Sequence, residues 1–474
     1  MNGFQLEMQF STGCNRLREA LDNGIFSVWI EHSPPVVRNN TDSIKRHLET
    51  LETAVYRETG LPVSLAITDR LDNFPESMRS VEYASLLESS SRGKHVVYLS
   101  GRGTSTEEIR ELAGMAANAG LMNIIPVTGN AVPGATLRRP GIYTESTEIL
   151  SILQKEGTFF TGGAVNPFKY APLPLVGQYS KMIRKLNSGA DFVVAQAGFD
   201  MAKLHELRHY LETRQFFVPT VARLVLLTPE IMAEILAGKH PGIVITPEAQ
   251  AQLRRELCFS SQQFQAAQWR RLELQAAGCR LLGFSGIQLV GADTPDRIKI
   301  ACSRISNALK EFSTFTDWLC EYEAWAGRAD LSNHTNGFYF FSNLLGLNGE
   351  DVARPRPAEF DFPPPPALEK TAAKIKSTLF PDESSFADGR KTLLKKIFLG
   401  CKGCGKCNIQ ETFHICSRQC PKQLSGGPCG GAATDGSCEL GSRHCIFNQI
   451  TSHAGASGMV NILETPVNGG IKNG

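Results

Sequence analysis

The sequence predicts an α/β fold, a (β/α)8 TIM barrel followed by a small cysteine-rich metal-binding domain. The chain has 474 residues, enough for two or three domains, one of which can be a barrel of roughly 250 residues or more. From about residue 25 to residue 310, short β-branched or apolar runs alternate with amphipathic helical stretches, a pattern typical of a parallel sheet with helical crossovers. Eight cysteines then crowd into residues 401–445, and thiolates at that density indicate bound metal.

Eight runs qualify as strands of the barrel, and eight is the number that closes it. They are residues 26–31, 63–68, 96–101, 123–129, 158–165, 191–198, 216–222 and 280–291. A doubly wound open sheet is the alternative architecture. It is not favoured, because no Gly-x-Gly-x-x-Gly opens a helix after the first strand, as dinucleotide binding of that kind requires.

The rest of the chain divides by composition. We expect a catalytic barrel in residues 1–310, an aromatic helical bridge in 311–350 that packs on the barrel, a Pro-rich linker in 351–385, and a cysteine-rich iron–sulfur or zinc domain in 386–474. Consecutive prolines favour extended polyproline II, which supports the linker. The last twenty residues are predicted to form a loose tail.

Charge and hydropathy limit the classes of partner and location. Lysine plus arginine (49) nearly balance aspartate plus glutamate (47), so nothing indicates a nucleic-acid partner, and we expect small molecules and proteins instead. The N-terminus lacks a secretory signal, and no apolar run approaches the length of a membrane span. The scattered remaining cysteines fit a reducing compartment. We therefore predict a cytoplasmic protein without a membrane span.

The cysteine segment begins Cys-x2-Cys-x2-Cys and, after an eight-residue insert, continues Cys-x3-Cys-Pro, which is similar to a ferredoxin-type cluster run with a loop inserted. The predicted metal ligands are Cys401, Cys404, Cys407, Cys416, Cys420, Cys429, Cys438 and Cys445. A [4Fe-4S] cluster is the first interpretation, and structural zinc is the alternative, because paired Cys-x2-Cys ligands also suit tetrahedral zinc. His414 and His444 lie inside the segment and could replace a thiolate.

In a barrel the reactive groups lie at the C-terminal ends of the strands. Glu31 ends the first strand, and the prolines at 34 and 35 favour an extended exit that holds its carboxylate at the barrel mouth. Gly129 with Asn130, Asn166 and Gln196 follow or end later strands, and such small and amide side chains suit a planar heterocycle. Each also has an ordinary explanation, a solvated glutamate or a common turn residue.

Several of these stretches together resemble the methylenetetrahydrofolate reductase family. The barrel carries Glu31 to Pro35, NAGLMNIIPVTGNAVPG (118–134) and RKLNSGADFVVAQAGFD (184–200). The C-terminal part carries CPK (420–422), GPCGG (427–431) and DGSCE (435–439), and it resembles the cysteine-rich domain that is fused to, or partnered with, some bacterial members of the family.

The resemblance implies roles for particular residues. Glu31 would be the general acid that opens the methylenetetrahydrofolate ring, giving an iminium that accepts hydride from a reduced flavin, and Gln196 would contact the pterin. Arg184 and Lys185 would face the phosphate-bearing tail of FAD or FMN, although cations are also favoured at any helix C-terminus. Tyr98 stands where the family commonly has a flavin-contacting histidine. The implied cofactor-binding set is Thr68, Tyr98, Gly129, Asn130, Asn166, Arg184 and Lys185.

The expected function is therefore that of a flavin-dependent oxidoreductase that interconverts 5,10-methylenetetrahydrofolate and 5-methyltetrahydrofolate. Its C-terminal metal clusters would exchange electrons with a ferredoxin or another redox subunit, in a homo- or hetero-oligomer. The sequence does not set the direction of the reaction. The alternative is a non-redox folate-binding barrel that transfers methyl groups and uses a zinc-bound docking domain.

Overall fold

Eight parallel strands close into a barrel, with β1 hydrogen-bonded to both β2 and β8. The computed structural model describes residues 15–35, 55–69, 78–87, 93–156, 159–292, 294–329, 334–347, 354–380, 392–404 and 407–466. The barrel strands are β1 Ser27–His32, β2 Val63–Ile67, β3 Val96–Ser100, β4 Asn123–Val127, β5 Phe160–Val165, β6 Phe192–Ala197, β7 Thr220–Val225 and β8 Gly286–Val290. The predicted barrel is confirmed, and the open sheet is excluded.

Helices cover the outer face of the barrel and close one of its ends. They are α1 Arg16–Asp22, α2 Ser80–Leu87, α3 Thr106–Asn118, α4 Ser146–Glu156, α5 Pro172–Asn187, α6 Met201–Thr213, α7 Pro229–Leu236, α8 Pro247–Phe259, α9 Ser261–Leu281, α10 Pro295–Glu311 and α11 Phe315–Ala329. Their starts are encoded locally. Ser105 and Glu108 form a reciprocal capping box at α3, and Thr228 caps α7 ahead of a proline in the first turn.

Two strands differ from the predicted positions. The seventh was predicted at 216–222 and lies at Thr220–Val225, because Pro219 has no N–H for the sheet and contributes only its carbonyl, to Val193 N. The eighth was predicted from residue 280, but α9 continues to Leu281 and the strand begins at Gly286. A turn through Gly283, whose φ is +82°, separates the two.

The barrel interior is a packed apolar core rather than a pore. Trp29 and Phe160 pack against Phe192, with ring centroids 5.9 and 4.8 Å away. Leu17 and Leu21 of α1 join this cluster and close the end at which the strands begin. Because side chains alternate along a strand, the inward position of Trp29 places Glu31 inside the barrel as well, two residues nearer the opposite end, which we call the mouth.

The predicted bridge and linker pair with each other. Phe341–Ser342 (β9) and Arg356–Pro357 (β10) form a short antiparallel ladder, and Phe338, Phe340, Phe360 and Phe362 make a chain of ring contacts. The part of the linker at 354–366 is therefore packed against the bridge. The domain boundaries predicted there stay a prediction, since residues 348–353 and 381–391 lie outside the described ranges.

A buried ion pair anchors the bridge to the barrel. Lys203 and Glu206 of α6 are both 0% exposed, 3.0 Å apart. Lys203 Nζ also donates to the carbonyl of Phe338 at 2.8 Å, and Glu206 accepts from the backbone N–H of Phe340. Removing one partner of such a pair typically costs about 3–5 kcal/mol, so this contact specifies where the bridge packs.

In the described part of the C-terminal region, two helices precede the cysteines and one follows them: α12 Ala367–Leu379, α13 Thr392–Leu399 and α14 Ile446–Ala456. A hairpin of β11 Ser437–Cys438 and β12 Gly441–His444 and 3-10 turns at Ser417–Gln419 and Val460–Glu464 complete it. The predicted loose tail is wrong up to residue 464, because Asn187 donates to the Glu464 carbonyl at 3.0 Å. Residues 467–474 lie outside the described ranges. In the described chain no helix is long and apolar enough to cross a membrane.

Candidate active site

A polar network fills the barrel mouth, and Glu31 lies at its centre. The Arg223 guanidinium of β7 donates to the Glu31 carboxylate at 2.5 Å, and the Gln288 amide of β8 donates to the same oxygen at 2.7 Å. Burial acts to lower the pKa of Arg223, but the Glu31 charge outweighs it and the pKa is raised overall. One oxygen of the Glu31 carboxylate is therefore held by a permanent cation and by an amide N–H.

Tyr98 fixes the orientation of Gln288. Its hydroxyl donates to Gln288 Oε1 at 2.6 Å, which leaves the amide N–H of Gln288 directed at Glu31. Burial raises the pKa of Tyr98 to about 12, against the opposing effect of Arg223, so the hydroxyl keeps its proton at neutral pH. The residue predicted to contact the flavin in place of a histidine thus supports the carboxylate through one intermediate.

Arg223 also links Glu31 to Gln196, the predicted pterin contact. The second guanidinium nitrogen donates to Gln196 Oε1 at 2.6 Å, and the backbone N–H of Ala197 donates to the same oxygen at 3.0 Å. With its oxygen engaged, the amide nitrogen of Gln196 is the group left to meet a ligand. The structure thus brings Glu31, Tyr98 and Gln196 together as one hydrogen-bonded unit.

The other predicted mouth residues surround this unit. Thr68 shares a 3.0 Å hydroxyl contact with Ser33, and Asn130 is exposed. Gly129 has a φ of +82°, and a Cβ there would lie 2.6 Å from Ser100 Oγ, so only glycine fits. Asn166 is 4% exposed and donates to the carbonyl of Gly242 at 2.9 Å and of Gly430 at 3.1 Å.

Arg184 and Lys185 are not brought to the Glu31 network. Both lie buried in the last turn of α5, where Lys185 Nζ donates to the Ala164 carbonyl at 2.6 Å and Arg184 donates to the Ile462 carbonyl at 3.3 Å. Burial, together with nearby Lys181, lowers the pKa of Lys185 to about 7. Their contact with a flavin phosphate stays a prediction, and it would require both side chains to change partners.

The C-terminal region docks beside the mouth through buried charges. Glu145, at the start of α4, accepts from Lys181 Nζ at 2.9 Å and from the backbone N–H groups of Ser425 and Gly426 at 2.7 and 2.9 Å. Burial would raise the pKa of Glu145, but Lys181 and these N–H groups outweigh burial and lower it. Glu145 is therefore a charged bridge between barrel and C-terminal region.

Two further buried lysines join the regions. Lys169 Nζ donates to the Ala432 carbonyl at 2.6 Å. Lys422 Nζ donates to the Gly129 carbonyl at 2.8 Å and pairs with Glu439. Gly129, which the sequence analysis expected beside a flavin ring, thus contacts the lysine of the CPK string directly.

The eight cysteines fall into two groups by their charged neighbours. Burial is the main cause that raises the pKa of Cys407, and the charges of Cys401, Cys404 and Cys416 raise it further. Burial, followed by the charges of Cys429 and Cys445, raises the pKa of Cys420 to about 12. Burial, followed by the charges of Cys429 and Cys438, raises the pKa of Cys445 to about 12. We call Cys401, Cys404, Cys407 and Cys416 the outer group, and Cys420, Cys429, Cys438 and Cys445 the inner group.

The inner group lies beside the barrel, and half of the outer group is exposed to solvent. Cys429 and Cys445 are charged neighbours of Lys169, and Cys429 is one of Lys422, whereas Cys404 and Cys407 are exposed. Among the described residues, no three His, Cys, Asp or Glu side chains stand close enough to hold a single metal ion, and no disulfide joins any of the twelve described cysteines. His414 contacts the Phe380 carbonyl at 3.3 Å.

Sequence reasoning missed Arg223 and Gln288. Both occupy inward positions near the mouth, in TVARLV and GIQLV. A polar residue inside an otherwise apolar strand is itself a signal, since burying a charge without a partner is costly. A search of the strands for polar residues that could bind the Glu31 carboxylate would have found both side chains.

Two sequence families match the chain. Residues 16–237 match the family described as methylenetetrahydrofolate reductase, and residues 380–469 match the one described as methylene-tetrahydrofolate reductase C terminal. No curated protein sequence matches.

Solved structures show only distant similarity. An uncharacterised protein from Clostridium thermocellum that binds two copies of 5-methyl-5,6,7,8-tetrahydrofolic acid is 16% identical, with a TM-score of 0.43 over 62% of this chain and 99% of that one. Dihydropteroate synthase of Yersinia pestis is 16% identical, with a TM-score of 0.34 over 60% and 93%. Scores this low carry no argument about function. From the two family matches, the chain combines an enzyme domain of the methylenetetrahydrofolate reductase family with that family's C-terminal domain.

Proposed function

We propose that this protein is a flavin-dependent oxidoreductase that interconverts 5,10-methylenetetrahydrofolate and 5-methyltetrahydrofolate. The observation that carries the proposal is the Glu31–Arg223–Gln196 unit at the mouth of a barrel of this family. Opening the folate ring places a proton on a ring nitrogen, and closing it removes that proton. A carboxylate at the mouth is suited to that transfer.

The residues at the mouth fit the ring system of a flavin better than those of α5 fit its phosphate. Thr68 offers a hydroxyl, Asn130 an exposed amide, and Gly129 a backbone approach without a side chain. A bound flavin supplies the hydride donor or acceptor, and the protein supplies orientation and the proton. Gln196 presents its amide nitrogen to the pterin. Tyr98 and Asn166 act from behind this surface, through Gln288 and Gly242.

Each cysteine group supplies four thiols, the ligand number of an iron–sulfur cluster. Four thiols also suit a tetrahedral zinc ion, which stays the alternative. Lys169 and Lys422 place positive charge beside the inner group, which suits a thiolate-ligated cluster. We therefore assign the inner group to electron exchange with the barrel. The outer group, in which Cys404 and Cys407 are exposed, is assigned to exchange with a ferredoxin or another redox subunit.

Cofactor analysis of anaerobically purified protein tests the redox proposal. We expect flavin absorbance, and iron and sulfide sufficient for two four-thiol sites. A colourless protein that contains only zinc would contradict it and favour the non-redox methyl-transfer alternative.

Glu31→Gln tests the proton-transfer role. We expect flavin and metal to stay bound while folate turnover is nearly abolished, because the substitution removes the transferable proton and little packing. Glu107→Gln on α3 is the matched control, since the Glu107 side chain is 77% exposed. Turnover of Glu31→Gln at the control's rate would refute the assignment.

A further inference from the structure

Arg223 is a cation inside the barrel mouth to which the sequence analysis assigned no role. Its guanidinium touches both Glu31, at 2.5 Å, and Gln196, at 2.6 Å. It therefore joins the proposed proton-transfer group to the proposed pterin contact. Its Cζ lies 5.9 Å from the Tyr98 ring centroid, so the guanidinium is also held over an aromatic ring.

Side chains from several strands surround the Glu31 carboxylate. The charged or titratable side chains that face it in the described barrel are Arg223 and Tyr98, and Tyr98 is neutral at ordinary pH. Gln288 of the adjacent strand β8 donates an N–H to it. In the other adjacent strand, β2, the residue opposite Glu31 is Ala66, which has no titratable group. His32 follows Glu31 in the chain but pairs with the Tyr83 hydroxyl at 2.9 Å.

We propose that Arg223 is a positioning residue that holds the Glu31 carboxylate in line with Gln196, so that the proton-transfer group and the pterin contact act as one unit. The inference rests on the proposed function. Closing the folate ring forms the bond between N10 and the methylene carbon and passes the N10 proton to the Glu31 carboxylate. Opening the ring breaks that bond, and N10 takes the proton back.

Two substitutions separate the charge of Arg223 from its geometry. Arg223→Met removes the cation but keeps an unbranched side chain. Arg223→Lys keeps the cation, but a lysine is a point donor and cannot repeat the fork that reaches both partners. The assay is oxidation of 5-methyltetrahydrofolate by anaerobic, cofactor-loaded full-length protein with a one-electron dye acceptor, measured across pH.

For Arg223→Met we expect the acid limb of the kcat/KM profile to move to higher pH by about one unit or more, since an adjacent cation favours an ionised carboxylate by that order. For Arg223→Lys we expect the limb near its wild-type position and a raised KM for the folate, because Gln196 loses its partner. An unmoved limb in Arg223→Met would overturn the proposal.

Thermal unfolding gives a readout that needs no turnover. Arg223→Met leaves the Glu31 charge unpaired and should lower the midpoint by a few degrees, and adding Glu31→Gln should recover most of that loss. Equal losses with and without Glu31→Gln would show that Arg223 only fills space, and would overturn the proposal. If wild-type protein turns over folate in neither direction, the proposed function fails, and this cycle alone then decides whether Arg223 holds the Glu31 carboxylate.

Discussion

Glu145→Gln should detach the cysteine-rich region locally from the barrel. The Glu145 carboxylate is 4% exposed and receives Lys181 and two backbone N–H groups, those of Ser425 and Gly426. Glutamine preserves the volume, but it removes the charge and replaces one acceptor oxygen with a donor. Lys181 then keeps its hydrogen bond to the Gly427 carbonyl, at 3.0 Å, but loses the buried counter-charge.

The size of the effect follows from these contacts. Removing one member of a buried ion pair costs about 3–5 kcal/mol, and each tenfold change corresponds to about 1.4 kcal/mol. The free energy that opposes local opening should fall by that amount. Amide exchange in the segment 420–431 should therefore accelerate by about a hundredfold to a few thousandfold.

Hydrogen exchange with peptide-level mass spectrometry measures this directly in the full chain. The exposed Glu107→Gln on neighbouring α3 is the control and should leave the same peptides unchanged. Acceleration below about tenfold in 420–431 would show that Glu145 does not hold the interface, and the reasoning from buried charge would be refuted.

Three further outcomes are expected. Lowering the pH through 4.5, the ordinary pKa of the Glu145 carboxyl, should begin to loosen the same interface. The folded-state pKa of Glu145 is lower, so its stabilising effect is lost as the pH falls through the folded-state pKa. Hydrogen exchange of 420–431 as a function of pH checks this, and a flat profile would contradict it. Gly129→Ala should lower the flavin content and should lower the free energy of unfolding by about 1–3 kcal/mol, since the new Cβ would lie 2.6 Å from Ser100 Oγ. A flavin content equal to that of the wild type would argue against the mouth as the flavin site. Cys404→Ser should lower iron content while Cys258→Ser, an exposed cysteine outside both groups, should not, and full iron in Cys404→Ser would remove it from the ligand set.

The sequence was informative where the signal is local. Alternating apolar strands and capped helices identified all eight barrel strands, and strand ends identified Glu31 and Gln196. The position of the seventh strand was wrong because its apolar run begins before Pro219, and periodicity does not register that a proline lacks a donor. Arg223 was missed because its meaning depends on Glu31, 192 residues away.

The docking of the C-terminal region could not be predicted at all. Lys422 meets the Gly129 carbonyl across 293 residues of chain, and Lys169 meets Ala432 across 263. Neither contact leaves a local pattern, since a lysine that is buried against a carbonyl has the same sequence appearance as a solvated one. The division of the cysteines into inner and outer groups depends on the same long-range folding.

Helix α5 has one face against the barrel and the other against the C-terminal region. Gly177 lies against Pro428, so that a Cβ there would sit 3.2 Å from the proline ring, and Arg184 and Asn187 bind the carbonyls of Ile462 and Glu464. A chain shortened to the barrel would expose this face to water and strip Arg184 of its partner. If the two regions were encoded as separate polypeptides, they would therefore have to assemble as an obligate heterodimer rather than meet as diffusing redox partners.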